Sequence, residues 1–189
     1  MKRAFAVEFA RGISSERLIA AWLVQQGKCV FPVYASGIAD TFRGPRILTP
    51  AGELIAPDLF VSDQDGGFFA GCKAKDRFSW FAKTRHWQTG IDQRAFYDYA
   101  NVQARFGYPV YIFFLHQFSD PSADDIRRGA DPQCPTGLYF ASLTHLVEAC
   151  DHTLPDQYGT VMWYWNVDDL DQLATLQEFM TGVQQSYVE

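Results

Sequence analysis

Residues 109–115 read Pro-Val-Tyr-Ile-Phe-Phe-Leu, a nearly continuous apolar run. A run of that length without polar alternation suits a fully buried central strand, covered on both faces. Helix-period segments are present to provide the cover. Leu18, Ile19, Trp22 and Leu23 recur at helical spacing, with Ser14 as a plausible N-cap and Gly27 as a C-terminal stop. Residues 92–106 read as a second helix, with Phe96, Ala100 and Ala104 on one face and Gly107 at its end.

Other segments carry weaker strand signals. Residues 29–35 are β-rich but contain Pro32, which confines them to a sheet edge or a strand end. Residues 36–50 form a Gly/Pro-punctuated loop holding Arg43 and Arg46. Two β-like runs follow, 54–61 and 68–74, joined by a linker with the turn signal Asp65-Gly66-Gly67. Residues 75–90 read as a polar, aromatic-rich loop and 119–136 as a Pro/Asp-rich one. Beyond them come a strand at 137–143, a short helix at 144–150, a strand at 161–166 and an amphipathic helix at 168–187, opened by acids that suit its dipole. The order α-β-hairpin-α-β-β-α predicts one mixed α/β layer arrangement over residues 1–189, without repeats or a domain boundary.

Composition narrows the function classes. With 189 residues, 48% of them hydrophobic, the chain can bury a real core, and a charged fraction of 20% argues against disorder. A net charge of −6 disfavours coating nucleic acid by bulk charge, while leaving room for a local basic cleft. Cys29, Cys72, Cys134 and Cys150 form no C-x-x-C pair, so neither a zinc site nor a disulfide framework is supported. No stretch approaches the ~20 apolar residues of a membrane span. A soluble, cytoplasmic protein is the default expectation.

Chemistry concentrates in two adjacent runs. Pro57-Asp58 closes one, and thirteen residues later Gly71-Cys72-Lys73 lies inside the other. Neighbouring antiparallel strands are only ~5 Å apart, so these side chains can converge on one metal-sized site. Strand alternation places Gly71, Lys73 and Lys75 on one face, and Cys72 and Ala74 on the opposite one. A carboxylate-held divalent ion beside a lysine is what phosphodiester hydrolysis requires.

Proline-aspartate on one strand followed by acid-x-lysine on the next is the signature of the PD-(D/E)XK nuclease superfamily, which Pro57, Asp58 and Lys73 resemble. The order of flanking elements is similar too. Glu16 lies where that core has a first-helix glutamate, and Gln93 and Tyr97 fit the Q-x-x-x-Y motif of one branch. The resemblance covers about residues 14–116, with 137–189 as a C-terminal extension. It implies a restriction-endonuclease-like α/β core, a mixed central sheet flanked by helices. It further implies Mg²⁺- or Mn²⁺-dependent cleavage of DNA, RNA being another possible substrate. Asp58 and Glu16 would hold the metal with the Cys72 carbonyl, and Lys73 would orient or activate water. Lys75, Gln93 and Tyr97 would support the scissile phosphate and the Lys73 side chain.

The departure is Gly71, where the family carries Asp or Glu. Three explanations are open: an inactivating change, a natural pseudo-nuclease, or an acid moved to Asp63, Asp65 or Asp76. The first is favoured because the other elements are in place, and Gly and Glu codons can differ by one base. Activity reduced by orders of magnitude is the expectation.

Residues 73–94 hold Lys73, Lys75, Arg77, Lys83, Arg85 and Arg94 against Asp76 and Asp92, with Phe78, Trp80, Phe81 and Trp87 among them. Such a mixture suits backbone tracking and base stacking, or equally a loop folding its aromatics onto the core. His86 is placed to touch phosphate, whereas His116, His145 and His152 look structural. The rival function is a non-catalytic nucleic-acid-binding or protein-interaction module on the same core. Oligomeric state stays open, a homodimer or a partner protein both being compatible with the chain.

Overall fold

The computed structural model describes residues 15–33, 45–64, 66–155 and 159–185. In chain order its elements are α1 (15–25), β1 (Cys29–Pro32), β2 (Arg46–Thr49), β3 (Gly52–Ile55), β4 (Leu59–Asp63) and β5 (Gly66–Lys75). Next come β6 (Ser79–Phe81), β7 (His86–Asp92), α2 (Gln93–Phe106), β8 (Val110–His116) and α3 (Ala123–Arg127). The last are β9 (Gly137–Ser142), α4 (Leu143–Glu148), β10 (His152–Pro155), β11 (Val161–Asn166), β12 (Asp171–Ala174) and α5 (Leu176–Gln185).

The apolar run becomes β8, inside a six-stranded sheet ordered β1-β4-β5-β8-β9-β12. β8 is parallel to β5 and antiparallel to β9, and the remaining pairs are antiparallel, so the sheet is mixed. Its residues feed two cores. Phe113 and Leu115 face a layer built from Ile19, Trp22 and Leu23 of α1 with Phe179 and Val183 of α5. Ile112 and Phe114 face the opposite layer, where Phe96, Tyr99 and Val102 of α2 pack with Trp80, Trp87, Ile91 and Trp165. Those four belong to a second, four-stranded sheet ordered β10-β11-β7-β6. The chain is thus mixed α/β with a mixed central sheet flanked by helices. Among the described residues no helix is long and apolar enough to cross a membrane.

Helix ends follow local chemistry. Asp92 caps α2 by accepting from the Arg94 and Ala95 amides, and Gly107 ends it in the left-handed conformation at φ 72°. Gly27, at φ 78°, stops α1 as expected, while Ser14 lies outside the described residues. Pro32 ends the edge strand β1, opposite Leu59. Expectations for Tyr34, Ala35 and Arg43 fall outside the described residues.

Several sequence expectations are corrected, beginning with the loops at 36–50 and 119–136, which hold β2 and α3. The run 54–61 is two strands, because β3 pairs with β2 in a separate hairpin and Ala56-Pro57-Asp58 carries the chain across to β4. The turn of the main hairpin falls one step early, with Asp63 paired to Gly66. Residues 75–90 are not a loop, since β6 and β7 pair with Trp80 opposite Trp87, both buried. Burial of those two rings outweighs the polar residues between them. Finally, the helix at 168–187 starts only at Leu176. Residues 167–169 form a 3-10 turn, and β12 pairs with the edge of β9 before Thr175 and Glu178 cap α5 reciprocally. Pairing with a free sheet edge overrides the helical period of Leu170 and Leu173.

Candidate active site

Asp58 sits just ahead of β4, one step beyond the Leu59–Ala70 pair, and so stands level with Gly71. It is 7% exposed. Its Oδ2 accepts the Cys72 amide at 2.6 Å and lies 3.5 Å from Lys73 Nζ. Register with β8 fixes the faces. Gly71, Lys73 and Lys75 are partners of Ile112, Phe114 and His116, and Cys72 and Ala74 are partners of Phe113 and Leu115. Expected alternation and observed register agree. Cys72 therefore packs into the α1 layer, and its amide is the group that reaches Asp58.

Lys73 is held from two sides. Besides the Asp58 carboxylate, its ammonium donates to the Tyr99 hydroxyl at 2.9 Å. Burial alone would lower its pKa, but Asp58 first and Tyr99 second hold it above the ordinary lysine value. Burial pushes the Tyr99 phenol up, against the pull of Lys73. Glu16, in the first turn of α1, is within the field of both charged groups. Burial chiefly, and the Asp58 charge next, raise its pKa to about 7, with Lys73 and Arg17 opposing. Lys75 goes the other way: burial, then Lys73, lower it to about 8. Asp58, Lys73, Glu16 and Lys75 thus form one electrostatically coupled group at the end of the β4–β5 hairpin.

Gly71 is occupied ground. A Cβ there would lie 2.6 Å from Cε2 of Tyr99 and 3.2 Å from both its Cζ and its hydroxyl oxygen. A tyrosine ring therefore covers position 71 and leaves no room for a side chain there. Two carboxylates, Asp58 and Glu16, remain to meet a divalent ion, and one Asp58 oxygen is already shared by an amide and an ammonium. Among the described residues no group of three or more His, Cys, Asp or Glu is arranged to hold a metal. The residues present do not fit a tightly held Mg²⁺ or Mn²⁺. Of the acids considered as replacements, Asp76 is exposed, while Asp65 and the Asp63 side chain lie outside the described residues.

The other nominated residues are dispersed. Gln93 and Tyr97 bond each other at 3.4 Å, and Tyr97 is 51% exposed with its ring edge-on to Trp163. Two positions along a helix turn the side chain by ~200°, so Tyr97 and Tyr99 look in nearly opposite directions. The signature motifs do not reach Tyr99, although its spacing from Phe96 and Val102 marks a core stripe. A tyrosine on such a stripe brings a hydroxyl that needs a partner, which was the available signal. Arg77 donates to the Asp120 carbonyl at 2.7 Å, and Lys83 and Arg85 are exposed around the β6–β7 turn, where Arg85 has φ 59°. Phe78, Trp80 and Trp87 are core residues. His86 pairs with Asp168 at 3.2 Å, His145 meets the Asp169 carbonyl, and His152 is stacked between Phe81 and Tyr164. His116 is fully buried against Phe78, and burial, then Lys75, hold its pKa down to about 3.

No family model and no curated protein sequence matches the chain. Several solved structures resemble it weakly, among them two nucleases. Hjc, a Holliday junction resolvase from Archaeoglobus fulgidus, superposes with a TM-score of 0.48 at 9% identity, over 84% of this chain and 90% of that one. D212, a nuclease from a fusselovirus, gives 0.38 at 13% identity, over 94% of each chain.

Proposed function

We propose that this chain is a nuclease-type DNA-binding protein whose phosphodiester-hydrolysing centre is impaired. The observation that carries the reading is the convergence of Asp58 and Lys73 at 3.5 Å, with Glu16 in their field, on the hairpin bearing the Pro57-Asp58 and x-Lys73 signature. Lys73 and Lys75 meet the sugar-phosphate backbone at this end of the sheet, and Lys83 and Arg85 extend the contact from the β6–β7 turn. Mg²⁺ or Mn²⁺ would supply the attacking hydroxide in a complete centre of this kind. With two carboxylates available, hydrolysis here is slow at best.

The test is cleavage of single- and double-stranded DNA in excess Mn²⁺ by this chain and by Asp58→Ala. Slow cleavage by the chain, at least ~10-fold weaker or lost in Asp58→Ala, is the expected result. Cleavage that ignores Asp58 would sink the assignment. The cover of Tyr99 over Gly71 favours a second reading, a non-catalytic DNA-binding module. That reading expects salt-sensitive DNA binding without metal, and no cleavage at any metal concentration.

A further inference from the structure

Glycine inside a regular strand has no packing advantage and weakens the strand, so a backbone or ring approaching closely is the usual reason for it. Gly71 is not among the glycines with positive φ, so its backbone conformation would accept any residue. Space selects glycine here, and the space is taken by Tyr99. That ring is 1% exposed in the middle of α2, within the same buried cluster as Phe96, Ile112 and Phe114.

We infer that Gly71 and Tyr99 are a matched pair: the tyrosine ring fills the volume of a side chain at position 71, and its hydroxyl positions Lys73 against Asp58. The inference rests on the nuclease-type reading of this centre and specifies how it departs from a three-carboxylate site. Tyr99 is a positioning residue, acting through Lys73. Restoring an acid at 71 alone does not rebuild the centre, because ring and carboxylate cannot share one place.

A four-protein comparison tests this: the chain itself, Gly71→Glu, Tyr99→Ala, and the double variant, each checked for folding by circular dichroism. Mn²⁺ binding is read by electron paramagnetic resonance of the free ion. Gly71→Glu alone is expected to lower the melting temperature without tightening Mn²⁺ binding. The double variant gains a third carboxylate and is expected to bind Mn²⁺ at least ~10-fold more tightly. Gly71→Glu/Tyr99→Phe keeps the ring and is expected to behave like Gly71→Glu. The pairing is overturned if Gly71→Glu alone gains as much as the double variant at an unchanged melting temperature. A stability cycle of Gly71→Ala with Tyr99→Leu adds a measurement independent of metal. Strong non-additivity supports the pair, and simple additivity refutes it. Should the double variant bind Mn²⁺ more tightly while the chain itself cuts no DNA in excess Mn²⁺, the nuclease reading falls and the pairing stands.

Discussion

Glu16 is a surface-type residue in an unfavourable place. Its carboxyl titrates near 7 instead of 4.5, because burial and then Asp58 penalise the charge more than Lys73 and Arg17 favour it. The folded chain therefore holds a proton that the unfolded chain releases between about pH 4.5 and 7. Stability from this group falls as pH rises through that window and is flat on either side. Glu16→Gln should melt higher than the parent at pH 7.5, with the difference vanishing near pH 4.5. A difference of melting temperatures that does not change with pH would show that Glu16 is not perturbed by burial. At this scale the sequence was only half legible. Asp58, Lys73 and Glu16 could be nominated from a signature whose register is fixed by strand pairing. Tyr99 was legible only as a core-stripe hydroxyl in need of a partner, since which face of α2 meets Lys73 depends on how that helix lies on the sheet.

Elements with a local cause were readable and those with a distant cause were not. Asp92 and Gly107 bracket α2 within its own sequence, and the apolar run of β8 announces burial by itself. By contrast β6 exists because Trp80 and Trp87 find a core, and β12 because β9 has a free edge. Such partners are invisible in a window of ten residues. The edge of β6 shows how a short element is secured. Asp125, capped into α3 through Ser122, accepts the Trp80 amide at 3.0 Å, and Arg128 holds the same carboxylate at 2.8 Å. Burial would raise the Asp125 pKa, yet the Ser122 hydroxyl and the Trp80 amide outweigh it and keep the carboxyl below the ordinary 3.8. That contribution is complete above the unfolded value and is lost as pH falls through the lower folded one. Asp125→Ala removes the reciprocal half of the capping box and the Trp80 acceptor together and is expected to cost about 2 kcal/mol in urea unfolding. Amide exchange at Trp80 should accelerate in that variant, and unchanged protection there would dissociate α3 from the sheet edge.

Over the whole molecule the net charge is −6, so bulk charge does not favour nucleic acid. On the proposed reading the grip on DNA would be local, made by Lys73, Lys75, Lys83 and Arg85, and few counterions would be displaced. The logarithm of affinity against that of salt concentration should slope by about −2 to −4, well short of proteins that wrap the duplex. Lys75 makes the prediction sharper, because burial and Lys73 bring its pKa to about 8, so its charge is present at pH 7 and mostly gone by pH 9. A phosphate beside it would favour the charged form, so binding above pH 8 must take up a proton and weaken accordingly. Fluorescence anisotropy of a labelled duplex at fixed salt, from pH 7 to 9, should record a decline of several-fold. Lys75→Arg, whose guanidinium stays charged throughout, should flatten it. A parent that binds equally at both ends of this range would remove Lys75 from the contact and leave the exposed Lys83 and Arg85 as the surface that meets DNA.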